Sequence, residues 1–309
     1  MDKSELQVVV MVSNPIRFAS RYRLYEQFKA HMKASGVELW TCEVQHGDRP
    51  FAVTARGDRK DLQLRTYNEL WHKENALNEM VARLPYDWRY VAWVDADIAF
   101  QRPDWVEETI HQLQNYRVVQ MFQSCVDLGP TGEALQTHIG FAYSHVTGRP
   151  RPAPGRYGHW HPGYAWACRR EAWDAMGGLL DFGVLGAGDN HVAHALVGRV
   201  EDSVDSAMSG PYMDGLRAYQ EQCERWVRRD VGFVPGTILH YWHGKKRNRF
   251  YHSRWRILVE TQFDPNRDLK EDYQGLYQLA DHGDVRSIEI RDRIRGYFRS
   301  RSEDSIDID

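Results

Sequence analysis

Tyr90, Val91, Ala92, Trp93 and Val94 form an apolar run with no polar alternation, and it ends on two carboxylates one residue apart, Asp95 and Asp97. No other segment constrains the fold as tightly. A short unbroken run of β-branched and aromatic side chains predicts a strand buried on both faces inside an α/β sheet. Residues two apart on extended backbone point to one side, so both carboxylates can face one ligand in the crevice at the carboxyl ends of the strands. Paired hard oxygens suit Mg2+ or Mn2+ shared with substrate phosphates. A carboxylate pair at a strand end can equally cap the next helix, so other segments must decide.

The upstream sequence supplies a frame. Gln7 to Val12 reads as an opening strand that ends on Ser13-Asn14-Pro15, and Tyr22, Tyr25, Phe28 and Met32 follow at helical spacing. Glu38 to Val44 reads as a second strand, Gln45 to Asp58 as a loop, and Asn68 to Leu84 as a helix. This β-α-β-α-β order predicts an α/β fold whose mainly parallel sheet is flanked by helices. Downstream, the pattern predicts a helix over 104–115 and a strand over 118–122. The Gly-, Pro- and His-rich stretch from Asp127 to Gly163 has no periodicity and reads as a functional loop or lid. Strands at 164–168 and 238–242 and helices at 169–176, 190–197 and 212–229 complete the pattern. The expected organisation is one domain over 1–264, built of two halves of about 1–125 and about 126–264. Residues 265–309 are expected to form a C-terminal helical extension with an acidic tail.

At 309 residues and 42% hydrophobic content the chain can bury a full core. A net charge of −3 argues against a generally basic nucleic-acid binder, although positive charge is concentrated between Lys245 and Arg256. No apolar stretch has the length of a membrane span and the first residues are too polar for a signal peptide, which makes the cytoplasm the default expectation. The scattered Cys42, Cys125, Cys168 and Cys223 indicate free thiols rather than a disulfide framework or a zinc site.

Two further segments carry chemistry. From Gly163 a small-residue strand leads into the helix of Arg169-Arg-Glu, a Gly-Gly turn, and Gly186-Ala-Gly-Asp189-Asn190 at a helix start. Later, His240-Tyr-Trp-His243-Gly precedes the basic residues Lys245, Lys246, Arg247 and Arg249. Three histidine pairs lack both an H-E-x-x-H motif and a common framework, which disfavours a zinc hydrolase.

Together with the D-A-D strand, these segments resemble nucleotide-sugar glycosyltransferases of the GT-A fold, and Gly163 to Leu196 is similar to the acceptor-side region of galactosyltransferase-type enzymes. The resemblance implies a Mn2+ or Mg2+ ion held by Asp97, Asp95 and a late histidine, His240 or His243. It implies Asp189 as the general base of an inverting transfer, although G-A-G-D-N stands where the family pattern has two or three acids. For the donor, commonly a UDP-sugar, it implies contacts from Ser13, Asn14, Pro15, Arg17, Lys73 and Asn75, with Lys245, Lys246 and Arg249 on the diphosphate. His159, Trp160, His161, Tyr164, Trp166 and Asn190 are the acceptor-side expectations. The H-Y-W-H-G segment and its continuation also look like compact phage- and virus-encoded glycosyltransferases. That likeness makes 5-hydroxymethylcytosine in DNA the leading acceptor, gripped by Arg149, Arg151 and Arg156 with Tyr157 and Trp160. A glycan, protein or polysaccharide acceptor is the alternative within the class, and a non-catalytic sugar-nucleotide-binding module the alternative outside it.

Overall fold

The computed structural model describes residues 2–149, 160–251 and 253–308. The chain opens as β1 (Leu6–Ser13), α1 (Ala19–Ser35), β2 (Glu38–His46), β3 (Asp61–Thr66), α2 (Lys73–Val81) and β4 (Tyr90–Val94). The apolar run before Asp95 is therefore a strand, and every residue of it is buried. Strand β3 was not anticipated. Its Asp-Leu-Gln-Leu-Arg-Thr alternation is that of an edge strand with one wet face, burying Leu62, Leu64 and Thr66 in turn. Helix α2 starts at Lys73 rather than Asn68, because the preceding backbone is bonded elsewhere: Trp71 N donates to Val184 O at 2.9 Å.

Next come β5 (Ile98–Phe100), α3 (Trp105–Asn115), β6 (Val118–Gln120), β7 (Ser124–Leu128), β8 (Ala134–Gly140) and α4 (Phe141–Val146). The expected lid from Asp127 is thus partly regular: β7 pairs with β8 in an antiparallel hairpin, and α4 follows directly. The exposed, polar residues of β8 hid its period from sequence reading. Then follow β9 (Trp160–His161), β10 (Ala165–Arg169), α5 (Arg170–Met176), α6 (Gly188–Leu196), α7 (Gly210–Trp226), β11 (Val231–Phe233) and β12 (Thr237–His240). The chain finishes with α8 (Trp255–Glu260), α9 (Pro265–Asp268), β13 (Leu269–Glu271), β14 (Tyr277–Leu279) and α10 (Val285–Arg299).

The fold is mixed α/β. Its main sheet has the order β11-β6-β10-β4-β1-β2-β3, parallel except for β10, which runs antiparallel between β4 and β6. Helices α1 and α3 cover one face, with Tyr25, Phe28, Met32, Trp105 and Ile110 buried there. The other face carries α2, α5, α6 and α7. A second sheet, β5-β12-β7-β8-β9, begins where the first ends. The chain crosses from β4 in one sheet to β5 in the other through Asp95-Ala-Asp97. That junction is what positions the site.

The C-terminal residues share this core. Ile290, Ile294, Tyr297 and Phe298 of α10 join the cluster on the α2 side, whereas Ile288 stays 48% exposed. The acidic tail is docked: Asp304 accepts from the backbone N–H groups of Ala19 and Ser20, both at 2.8 Å, at the start of α1. All four cysteines are buried free thiols. Among the described residues no helix is long and apolar enough to cross a membrane.

Candidate active site

Sheet register brings the two motifs together. His240 pairs with Ile98 across β12–β5, which sets it beside Asp97, and with Asp127 across β12–β7. Both ends of the D-A-D turn are held by neighbouring backbone: Asp95 N donates to Tyr164 O and Tyr241 N to Asp97 O, each at 2.8 Å. The result is a cavity of about 160 Å3, lined among others by Lys73, Glu74, Asp95, Asp97, Asp189, His240 and His243.

Asp97, His240 and His243 each present a ligand atom within 4.8 Å of the other two. His243 Nε2 lies 3.0 Å from Asp97 Oδ2 and 3.2 Å from His240 Nε2, and His240 Nε2 lies 3.9 Å from the same oxygen. His240 Nδ1 is 2.8 Å from a carboxylate oxygen of Asp127 and must donate to it, so in the neutral ring Nε2 carries a lone pair. His243 Nε2 accepts from Arg249 Nη2 at 2.7 Å. Three ligand atoms therefore converge, that of His243 now accepting from Arg249, which an ion would displace, and the second oxygen of Asp97 is buried without a partner. Ligands about 2.1 Å from one cation at right angles lie roughly 3 Å apart, so the donor set fits a divalent ion.

The electrostatics agree. Burial opposes the charge on Asp97, yet His243, His240 and Arg249 outweigh it and hold the carboxyl well below the usual range. Burial and Arg249 lower His243 to about 4, which leaves it neutral. An ionised carboxylate beside a neutral imidazole is the state that binds a metal. Asp95 behaves differently: it is paired with Lys73, and burial raises its pKa against that partner. The two carboxylates line one cavity but have different neighbours.

Asp189, the second residue of α6, lines the same cavity. Its Oδ1 accepts from Asn190 N at 2.8 Å. A Cβ on Gly163 would lie 2.2 Å from its Oδ2, so only glycine at 163 leaves the carboxylate room. Backbone strain is present here, since Tyr164 and Ala187 both hold a φ of 75° without being glycine.

Several expected contacts are redirected. Lys246 does not line the cavity; its ammonium bonds Asp127, Gln136 and His138. Lys245 is not among the lining residues either, while Arg249 is. Asn75 is committed to the β13–β14 hairpin through Gly275 O and Tyr277 N, each at 2.9 Å. Asn14 folds both side-chain groups onto the backbone of Phe18. With Ser13 and Pro15 it lines a smaller adjoining cavity that shares Arg21, Trp71 and Arg301 with the main one; Arg17 lines neither. His161 stacks on Tyr164, centroids 3.9 Å apart, and both face the main cavity. Trp160 packs edge-on against Phe141, Trp166 is buried with its indole N–H on Pro162 O, and Asn190 bonds Ser203 O. His159, Arg151, Arg156 and Tyr157 lie outside the described residues. Arg149 rests its guanidinium on Tyr143.

Three residues were missed by sequence reading. Glu74, between the expected Lys73 and Asn75, turns into the cavity with Oε2 unpartnered; burial raises it to about 8, with Lys73 opposing and Asp189 adding to the rise. Arg21 and Arg301 line the same cavity, and both pair with Glu303. Arg301 is 6% exposed, with its guanidinium over Trp71. An isolated arginine near a chain end gives no motif that would have marked it.

No protein-family profile and no curated protein matches the chain. Among solved structures, the catalytic domain of Drosophila beta1,4-galactosyltransferase 7 in complex with xylobiose aligns at 14% identity over 64% of this chain, with a TM-score of 0.33. The chain spans 61% of the length of that structure. A Desulfovibrio desulfuricans G20 protein called a nucleotide-diphospho-sugar transferase aligns at 12% identity over 95% of this chain and 98% of that one, with a TM-score of 0.35. A glucose-1-phosphate thymidylyltransferase from Bacillus anthracis reaches a TM-score of 0.38 at 9% identity, over 87% and 98% of the two chains. At these scores the likenesses assign no residue and no activity to this chain.

Proposed function

We propose that the protein is a metal-dependent glycosyltransferase that moves a sugar from a nucleoside-diphosphate donor, UDP-sugar in the first instance, to an acceptor hydroxyl with inversion. The observation that carries this reading is the convergence of Asp97, His240 and His243 in one cavity that Asp189, Arg21, Arg249 and Arg301 also line. Two imidazoles and a carboxylate form a softer set than the all-oxygen shells Mg2+ takes, so Mn2+ is the expected ion. When bound, the ion supplies charge stabilisation to the departing diphosphate.

The chain's own residues perform the rest. Asp189 accepts the proton of the attacking hydroxyl, a role that needs a carboxylate within hydrogen-bond reach. Arg21, Arg249 and Arg301 surround the single carboxylate Glu303, an excess of positive charge that suits a diphosphate. Lys73 holds Asp95 and screens the acid cluster. The expected roles of Lys246 and Asn75 pass in this reading to Arg301 and Glu74.

The acceptor in this reading is a hydroxymethylated DNA base or, as the alternative, a glycan, protein or polysaccharide. A screen of donors against acceptors, read as release of nucleoside diphosphate with and without Mn2+, tests the whole reading. Release that needs both Mn2+ and hydroxymethylated DNA supports the DNA acceptor, and release that needs a glycan supports the alternative. Tight donor binding with no turnover across the screen overturns the enzymatic reading in favour of a binding module.

A further inference from the structure

Behind the metal-ligand triad lies a buried polar cluster centred on Asp127, which is 4% exposed. Its Oδ1 accepts from His240 Nδ1 at 2.8 Å and from the Tyr164 hydroxyl at 3.2 Å. Its Oδ2 receives His138 Nε2 and the Lys246 ammonium. Four groups thus converge on one carboxylate that does not itself line the cavity. No sequence pattern marks it, since it stands in the stretch that has no periodicity.

We propose that Asp127 is the positioning residue of the metal centre: it fixes the tautomer and ring orientation of His240 and clamps the segment that carries both histidines. The inference rests on the metal reading above. Two geometrical facts carry it. A carboxylate on Nδ1 obliges that nitrogen to keep the proton, so in the neutral ring Nε2 is the bare nitrogen, and it faces Asp97 and His243. The same carboxylate holds His240 through Oδ1 and Lys246 through Oδ2, tying down both ends of the turn in which His243 sits. Lys246 therefore acts as an anchor for the turn. Tyr164, stacked on His161 and within 4.7 Å of the His240 ring by centroid, completes the wall that prevents the imidazole from swinging away.

The test uses the full chain and Mn2+ alone, with affinity read by calorimetry and by the paramagnetic resonance of free Mn2+. Asp127→Asn keeps the shape but removes the charge and should weaken Mn2+ binding by about 10- to 100-fold. His138→Gln, which leaves the His240 contact in place, should bind Mn2+ close to the wild-type level. Long-range proton–nitrogen spectra of the metal-free wild type should show His240 protonated on Nδ1, and Asp127→Asn should mix the tautomers. Wild-type Mn2+ affinity in folded Asp127→Asn overturns the proposal, as does an Nε2-protonated His240 in the wild type. If Asp127→Asn does not fold, the wild-type tautomer still decides. A wild type that binds no Mn2+ yet shows the Nδ1 tautomer overturns the metal reading rather than the tautomer assignment.

Discussion

Asp97 and Asp95 are separated by one alanine, yet their neighbours give them different work. Asp97 faces two imidazoles and keeps a buried oxygen without a partner, whereas Asp95 is neutralised by Lys73. Asp97→Asn is therefore expected to abolish Mn2+ stimulation, and Asp95→Asn to reduce it less; Mn2+ titrations of turnover distinguish the two. Asp189→Ala should lower kcat by about 10²- to 10⁴-fold, the usual contribution of a general base, with little change in donor affinity. Glu74 supplies a prediction in pH. Its folded pKa of about 8 lies above its ordinary value of 4.5, so the native state holds a proton that the unfolded chain has released. That contribution is fully present below the ordinary value and is lost as pH rises through about 8. Melting curves at about pH 5 and pH 8 should show the wild type losing stability relative to Glu74→Gln by on the order of a few kcal/mol. An equal pH response in both proteins would contradict the burial of Glu74.

At the scale of elements, the C-terminal helix and tail behave as a part of the site. Helix α10 is anchored by Ile290, Ile294 and Phe298, and the residues after it carry Glu303 into contact with both Arg21 and Arg301. Gly244, in the turn after His243, has a φ of 88°, and a Cβ there would lie 2.8 Å from Ser302 O and 2.9 Å from Glu303 Cα. Gly244→Ala should therefore release the tail without melting the fold: proteolysis after Arg299 should accelerate and donor affinity fall. Ile294→Ala deletes a core side chain instead, and should lower global stability by about 2 to 5 kcal/mol. Unchanged proteolysis of the tail in Gly244→Ala would show that the close approach of the two segments is not what holds it.

For the whole molecule, the site lies where two sheets meet, and its ligands come from β12 and from turns that follow β4 and β12. A ligand that joins these elements binds only the folded state and stabilises it by mass action. Mn2+ at about 100 times its dissociation constant should add about 2.7 kcal/mol, read as a rise in Tm that chelation reverses. Asp97→Asn should lose that rise. An equal shift in the variant would place the ion elsewhere.

The buried run at Tyr90–Val94 and the parallel order of the first half were legible from local pattern, because strand burial is a property of a few adjacent residues, whereas Asp97, Asp189, His240 and His243 were candidates whose roles came from resemblance. Lys246 shows the limit of that kind of reading. It stands in a basic run beside a histidine motif, but its partner Asp127 is 119 residues away, and only the pairing of β7 with β12 reveals that its charge is already met. Arg301 and Glu74 entered the cavity for the same reason: one arrives by the packing of α10, the other by the rotation of α2 against the start of α6. Local pattern was enough for the β-α-β-α-β frame and for the acids and histidines available for chemistry, but not for the edge strand β3 or the β7–β8 hairpin. The tertiary structure alone decided which of those charges face each other, since pairing across distant strands depends on register and burial that no local spacing encodes.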